Sequence, residues 1–214
     1  EVARVEEKMG IKGSTTGELY FTDMRIPAAN LLGQEGEGFK IAMFALDQGR
    51  YTVAAGATGL IRACRDASVA YARERRSMRA LSGKKEPDQV ADAIVWHPDV
   101  RRMLLKQKAI AEGGRDMIYG AAKLADKMYA ASWSGDQDTY HRCDSELGFY
   151  TPILKGFLTE MGLEAAHLGV QVFGGHGYIR EHGMEQIVRV STVEYNNVPA
   201  SAFEPPAAVK ALIK

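Results

Sequence analysis

The chain has few of the residues that form cross-links and no excess of charge of one sign. It contains two cysteines among 214 residues, Cys64 and Cys143, which are too few for a disulfide framework and lack the spacing of a metal site. Lys+Arg and Asp+Glu both number 27, so no positive excess favours binding to nucleic acid or to an anionic membrane. No apolar run approaches the roughly 18 residues that a membrane-spanning helix requires. We therefore expect reduced thiols, no nucleic-acid or membrane partner and a soluble, reducing compartment.

The five histidines lack the spacing of a metal site, such as two residues one helical turn apart with a nearby carboxylate. No set of Ser, His and Asp stands out in the sequence as the triad of a hydrolase. The sequence therefore predicts neither a metal centre nor a hydrolytic reaction.

Apolar residues recur at three- and four-residue steps in three long segments, a pattern typical of amphipathic helices. The first segment covers residues 39–75, and the second opens at Pro98, which suits a first helical position. Thr151 and Pro152 resemble a capping residue and a first-turn proline, so the third helix is predicted over residues 151–173. Three such helices cover one another's apolar faces in a bundle, so the sequence predicts a mainly α fold.

The segments between and around these helices lack helical periodicity. Residues 1–33 contain short alternating runs punctuated by glycine, which predict strands and turns. Residues 79–97 predict a long exposed connection, and residues 132–148 a polar, glycine-bounded linker. Residues 191–214 contain three prolines and only one short helical segment, at 207–214.

A glycine cluster follows the third helix. Gln171, whose side chain both donates and accepts hydrogen bonds, precedes Gly174 and Gly175. Glycine lets backbone amides approach a ligand closely, but the same cluster also serves to end a helix in a tight turn. The residues alone leave both interpretations open.

Segments 46–50, 70–75, 171–178 and 185–189 have an order and spacing that resemble the acyl-CoA dehydrogenase family. The resemblance runs from about Met9 to Arg189. It implies a C-terminal antiparallel helical bundle preceded by the last strands of a middle β domain. We accordingly expect residues 1–35 to end the β domain and residues 36–214 to form the bundle, with an N-terminal helical domain and most of the β domain absent.

The substrate branch within the family stays open. Residues 97–152 look closest to the members that act on methylthiopropanoyl-CoA. The first helix is similar to the short-chain and glutaryl-type members at least as well. The residues of the acyl pocket lie partly outside this chain in the family, so the acyl group is not predicted.

The resemblance implies an FAD site shared between subunits of a homo-oligomer, a dimer or tetramer. Arg75 matches the arginine that meets the pyrophosphate of the neighbouring subunit's flavin, and a guanidinium suits a diphosphate because it donates paired hydrogen bonds. The family's Gln-Phe-Gly after it is here Ser77-Met78-Arg79. Gln171, Gly174 and Gly175 match the positions near the adenine end. The alternative for Arg75 is a solvated cation at a helix end.

Asp47 and Arg50 match positions near the CoA thioester, and the alternative is an intrahelical pair three residues apart. The family reaction needs a carboxylate that removes the proton α to the thioester. The loop that carries this base falls on residues 197–200, Asn-Val-Pro-Ala, and none of these ionises at neutral pH.

The resemblance and the sequence offer two other locations for the base. Another branch of the family places it directly before Arg50, where this chain has Gly49. Glu194 and Glu204 are the nearby carboxylates, and each also fits a surface residue. The sequence from Val190 onward departs abruptly from the family pattern, so the catalytic base is not identified.

Three function classes follow. The first is an FAD-dependent acyl-CoA dehydrogenase of the bacterial cytoplasm or mitochondrial matrix, with electron-transfer flavoprotein as the electron acceptor that the resemblance implies. The second is a flavin-binding relative without catalysis or with lyase-like chemistry, motivated by the missing base. The third is a helical bundle that binds a partner protein, for which we expect no flavin and no response to CoA thioesters.

Overall fold

The computed structural model describes residues 1–196 of the chain. Two short strands, β1 (Val2–Val5) and β2 (Gly17–Leu19), form an antiparallel pair with Val2 opposite Leu19. Four helices follow, and they confirm the mainly α prediction: α1 (Gly38–Glu74), α2 (Pro98–Ser134), α3 (Gln137–Phe173) and α4 (Met184–Asn196).

Helices α1, α2 and α3 form an up-down-up bundle whose core is built largely from small residues. Ala57, Ala111 and Ala165 are almost fully buried where the three helices meet. Gly169 of α3 faces Cys64 of α1 so closely that a Cβ atom on Gly169 would lie 2.5 Å from the Cys64 sulfur. The small side chains let the helix axes approach, and this close packing stabilises a bundle of 37-residue helices.

The predicted start of the third helix at Thr151 is wrong, because α3 already begins at Gln137. Gly135 ends α2 with a positive φ of 79°, and the Asp136 side chain accepts a hydrogen bond from the Thr139 amide at 3.0 Å. Pro152 therefore lies inside the helix, where it removes one backbone donor. The apolar face of the first turns packs against α2, which outweighs that loss. Its buried members are Cys143, Leu147 and Leu154.

The expectation of no helix over residues 191–196 is also wrong, because α4 continues to Asn196. The prolines that argued against a helix lie beyond that residue. Met184 of α4 packs with Cys64 and Phe173, and Ser191 is 1% exposed, so tertiary contacts hold the helix. The predicted helix at 207–214 lies outside the described residues.

The N-terminal segment contacts the bundle through α4. The Arg189 guanidinium donates to the Met9 carbonyl at 2.9 Å, and a Cβ atom on Gly10 would lie 2.9 Å from the Arg189 carbonyl oxygen. Several apolar side chains of residues 1–32 are exposed, among them Phe21 and Leu32. The two strands confirm the strands that the sequence predicted in this segment. The contacts of Met9 and Gly10 with Arg189 attach the segment to α4.

Within residues 1–196, no helix has the length and apolar character of a membrane span. Among the side chains of residues 1–192, no group of three or more His, Cys, Asp or Glu is placed to hold a metal ion.

Candidate functional site

The chain leaves α1 in an extended conformation that pairs with the residues before α2. The Arg75 amide donates to the Tyr71 carbonyl at 2.8 Å, and its own carbonyl accepts from the Ile94 amide at 2.8 Å. The Ser77 amide donates to the Asp92 carbonyl at 3.1 Å, and the Asp92 amide donates to the Met78 carbonyl at 2.9 Å. We call this pairing of residues 75–78 with 92–94 the ladder. It fixes the backbone of Arg75 and Ser77 at one end of the bundle.

Side chains alternate along an extended segment, which places Arg75 and Ser77 on one side of the ladder and Arg76 on the other. Arg76 forms an ion pair with Glu86, which also accepts from the Trp96 indole at 3.1 Å. The hydrogen bond from Arg76 is the main cause of a lowered pKa of Glu86. The Arg75 guanidinium, by contrast, is exposed and contacts no acidic side chain among residues 1–192. It is therefore available to an anion from outside the chain.

A buried carboxylate, Asp92, holds the rest of the connection together. It is 0% exposed and accepts from the amides of Ala80, Lys85 and Glu86 at 2.9, 3.1 and 2.8 Å. The Arg79 guanidinium adds an ion pair at 3.2 Å. These donors, with the Ala80 amide first, lower the pKa of Asp92 to about 2. Residues 79–97 are thus not the simple exposed connection that the sequence predicted, although residues 81–85 and 87–90 lie at the surface.

Sequence reasoning missed Arg79 and Asp92. A signal was present, since Asp92 interrupts an otherwise apolar run from Ala91 to Trp96. A carboxylate in such a run is buried only when several donors satisfy it.

The glycine cluster lies where α3 ends. Gly174 has a φ of 59° and its amide donates to the Gln171 carbonyl. It therefore ends the helix in a tight turn, which is one of the two interpretations that the sequence left open. The side chain of Gln171 is exposed, and Gly174 and Gly175 are exposed with no neighbour where a Cβ would stand. The turn therefore ends the helix and also leaves polar groups open to a ligand.

Aromatic contacts join the end of α1 to this turn. The Phe173 ring stacks on Tyr71 with centroids 4.1 Å apart, and the Tyr71 hydroxyl is hydrogen bonded to His176 Nδ1 at 3.0 Å. His182 stacks on His176 at 4.6 Å. Because Tyr71 lies one helical turn before Arg75, these contacts bring the ladder and the glycine turn to the same end of the bundle.

Asp47 and Arg50 lie far from that end. Arg50 donates to the Asp47 carboxylate at 2.6 Å. The two residues thus form the intrahelical pair that the sequence offered as the alternative to a substrate site. Both side chains keep substantial exposure, at 33% for Arg50 and 47% for Asp47. Arg75 is 25 residues further along the same helix, a separation of about 38 Å at 1.5 Å per residue. One chain therefore presents two separate candidate sites.

The two glutamates that are candidates for the catalytic base fall at or beyond the end of the described part of the chain. Glu194 belongs to α4, but its side chain is outside the described part of the chain, and Glu204 lies outside it altogether. Gly49, next to Arg50, is exposed on α1 with open space where a side chain would stand.

Comparisons with known proteins identify relatives of this architecture. The acyl-CoA dehydrogenase C-terminal domain matches residues 36–195. The 3-methylmercaptopropionyl-CoA dehydrogenase of Ruegeria pomeroyi is 32% identical over 185 residues, which are 86% of this chain and 30% of that protein. Butyryl-CoA dehydrogenase of Megasphaera elsdenii has a TM-score of 0.76 at 28% identity, with 100% of this chain and 49% of that chain covered.

An acyl-CoA dehydrogenase of Bacillus anthracis, solved in complex with FAD, has a TM-score of 0.75 at 26% identity, with 91% of this chain and 32% of that chain covered. The chain thus spans between 30% and 49% of the lengths of these three relatives. Since the domain match covers most of the chain and the bundle superposes on solved relatives, the chain belongs to the acyl-CoA dehydrogenase family.

Proposed function

We propose that the protein containing this chain is an FAD-dependent acyl-CoA dehydrogenase that removes hydrogen from the α and β carbons of a CoA thioester. The observation that carries the proposal is the pair of open polar sites along α1, one at its C-terminal end and one in its N-terminal half. One presents Arg75, which contacts no acidic side chain among residues 1–192, at the same end of the bundle as the exposed glycine turn. The other presents Asp47 and Arg50.

The first site fits the diphosphate and adenosine of FAD. Arg75 supplies a free guanidinium for the diphosphate, and Ser77 adds a hydroxyl on the same side of the ladder. Gln171 and the amides of Gly174 and Gly175 offer hydrogen bonds to the adenosine end. Bound flavin supplies the acceptor for the β-hydride, and these residues hold it in place. The relative from Bacillus anthracis was solved with FAD, which supports this assignment.

The second site fits the thioester end of acyl-CoA. Arg50 donates to a polar or anionic part of the ligand, while Asp47 holds the guanidinium in position from one turn away. We propose the methylthiopropanoyl, short-chain and glutaryl thioesters as the substrates to test. The identity to the Ruegeria pomeroyi enzyme supports the first of these.

The separation of the two sites supports a homo-oligomer. Flavin and thioester must meet for hydride transfer, but Arg75 and Arg50 lie about 38 Å apart on one helix. We infer that Arg75 serves the flavin of a neighbouring subunit. Electron-transfer flavoprotein is the proposed electron acceptor, and the bacterial cytoplasm or mitochondrial matrix the proposed location.

The proposed domain boundary lies at residues 35 and 36. The family match begins at residue 36, which supports it. Residues 1–35 are then the end of the middle β domain, and the exposed apolar side chains of that segment fit packing against the remainder of such a domain.

A second candidate, a non-catalytic or lyase-like flavin-binding relative, rests on the missing base. The loop position reads Asn-Val-Pro-Ala at 197–200, and the alternative position on α1 is Gly49. Neither position therefore supplies a carboxylate to accept the α-proton.

Visible absorbance of the full-length protein, before and after anaerobic addition of the three thioesters, tests both candidates. Bleaching of an oxidised flavin band by any thioester establishes a dehydrogenase. A flavin band that none of them bleaches favours the second candidate, and a colourless protein that takes up no added FAD contradicts both.

A further inference from the structure

We propose that Asp92 and Arg79 are positioning residues for the flavin diphosphate, because their buried ion pair holds the turn that presents Arg75 and Ser77. The inference rests on the proposed function and concerns the same site. Arg79 takes the place of the glycine in the family's Gln-Phe-Gly motif, so the pair belongs to this chain's version of the turn.

Asp92 acts on the ladder through its backbone and its side chain together. Its carbonyl accepts from the Ser77 amide and its amide donates to the Met78 carbonyl, so it lies directly opposite the diphosphate segment. Its side chain accepts from the Ala80 amide, which starts the loop after that segment, and from the amides of Lys85 and Glu86 further along. A displacement of Asp92 therefore moves Ser77.

Arg79 also holds the loop after the ladder, through hydrogen bonds from its guanidinium to backbone carbonyls of that loop. Besides its 3.2 Å ion pair with Asp92, its guanidinium donates to the carbonyls of Glu86 and Gln89. The Asp92–Arg79 pair thus folds the loop 80–91 back on the ladder, together with the ion pair between Arg76 and Glu86. Both charges are satisfied, and removal of Arg79 leaves the buried Asp92 without its charged partner.

The turn between Ser77 and Arg79 needs this support because of Met78. Its φ of 57° lies in the left-handed region of backbone conformation, which residues other than glycine rarely adopt. Such a conformation persists only where surrounding bonds over-determine it. The Met78 carbonyl is bonded to Asp92, and the residues on both sides of Met78 are bonded to Asp92 as well.

The effect is local to this end of the bundle. In the described part of the chain, the hydrogen bonds and ion pair of Asp92 and Arg79 all join residues within 77–92, and none reaches α1, α2 or α3. Loss of the pair therefore loosens residues 75–92 and misplaces Arg75 and Ser77 while the helices stay packed. We expect weaker flavin binding from an otherwise folded protein.

The test uses full-length protein stripped of flavin and titrated with FAD, in Asp92→Asn, Arg79→Met and Arg79→Lys variants. Asp88→Asn is the matched control, since Asp88 lies on the same loop, is exposed and contacts no cationic side chain in the described structure. We expect the dissociation constant for FAD to rise roughly tenfold or more in Asp92→Asn and Arg79→Met, as for loss of a hydrogen bond to a charged group.

The accompanying readouts separate positioning from a general loss of structure. At saturating FAD, KM for the thioester stays at the wild-type value in both variants, and hydrogen exchange rises at the amides of Ser77, Ala80 and Glu86 but not in α2. Arg79→Lys restores part of the affinity, and Arg79→Met adds little to Asp92→Asn because both break one unit. The control stays within about twofold of wild type.

The outcomes are distinguishable. Wild-type protein that takes up no FAD refutes the proposed function and this role with it. Wild-type protein that binds FAD, with Arg79→Met and Asp92→Asn binding equally well, refutes the positioning role alone. If Asp92→Asn does not fold, the comparison of Arg79→Met with Arg79→Lys decides, since Arg79 is about one-third exposed at the surface.

Discussion

Replacement of Gly169 by alanine tests whether close helix contact holds the bundle together. A Cβ atom at this position would lie 2.5 Å from Cys64 Sγ and 3.2 Å from Met184 Sδ. The Cys64 sulfur has little room to move, because it is fully buried and donates to the Ala165 carbonyl at 3.3 Å. Burial also raises the pKa of this thiol to about 11, so it stays a neutral donor at physiological pH.

The expected magnitude is the balance of two effects. Overpacking a rigid core costs about 1–3 kcal/mol, and the 2.5 Å approach favours the upper end. Alanine gains about 1 kcal/mol over glycine in helix propensity. We therefore expect Gly169→Ala to lower the free energy of unfolding by about 2 kcal/mol.

Gly113→Ala is the matched control. Gly113 is exposed on α2 with nothing near its missing Cβ, so the substitution raises stability by about 1 kcal/mol. The two variants then differ by about 3 kcal/mol, which is about 1 M or more in the urea midpoint. Urea unfolding of the full-length protein measures this difference, and a Cys64→Ala background should recover most of the Gly169 loss.

The close-contact interpretation fails if both alanine variants shift the midpoint in the same direction. It also fails if Cys64→Ala does not change the effect of Gly169→Ala, because the sulfur would then not be the atom that the new methyl group meets.

Three further predictions concern the two candidate sites. Arg75→Met should raise the FAD dissociation constant roughly tenfold or more while leaving the melting temperature unchanged, because the side chain is exposed and contacts no acidic side chain among residues 1–192. Fluorescence titration and thermal unfolding measure the two quantities. The pKa of Asp92 is about 2 when folded against an ordinary 3.8, so its contribution to stability is complete above pH 4 and is lost as pH falls toward 2. Hydrogen exchange at Ala80 should rise over that window and be constant from pH 5 to 8 after correction for intrinsic rates. If thioesters do not bleach the wild-type flavin, Gly49→Glu should restore bleaching by roughly 10²–10⁴-fold, and no gain would mean that a carboxylate before Arg50 does not reach the α-proton.

Helical periodicity was enough to predict α1 and the start of α2, because each helix buries one continuous face. It fails at α3, because Pro152 resembles a first-turn residue but lies inside the helix. A proline inside a helix removes one hydrogen bond, and the apolar face that starts at Cys143 compensates for it through contacts with α2. Those contacts are not visible until the partner helix is in place.

Among the site residues, too, contacts between near neighbours in sequence were predictable and contacts between distant residues were not. The Asp47 and Arg50 pair was predictable, because residues three apart on a helix are neighbours. The Asp92 network was not, since its donors are 6 to 13 residues away in a loop without periodicity. Only the ladder between 75–78 and 92–94, which is long-range in sequence, brings them together.

The length of α1 leads to a test of the shared site that does not depend on any single variant. We suppose that Arg75 serves a neighbour's flavin and Arg50 the thioester of its own chain. Arg75→Met then damages the active site of the neighbouring subunit, whereas Arg50→Met damages the active site of its own subunit. Each variant alone lacks an intact site in every dimer. In a mixed dimer, one site combines both mutations and the other has neither.

Random assembly makes half of the dimers mixed, and one of the two sites in each mixed dimer is intact. At an FAD concentration too low to load the Arg75→Met site, co-expression should therefore raise activity to about a quarter of wild type, above the activity of either variant alone. Co-expression of two copies of the same variant is the control and should restore nothing. If both arginines served a site within one chain, mixing would restore no activity, and the 38 Å between them would then require a different account of how flavin and thioester meet.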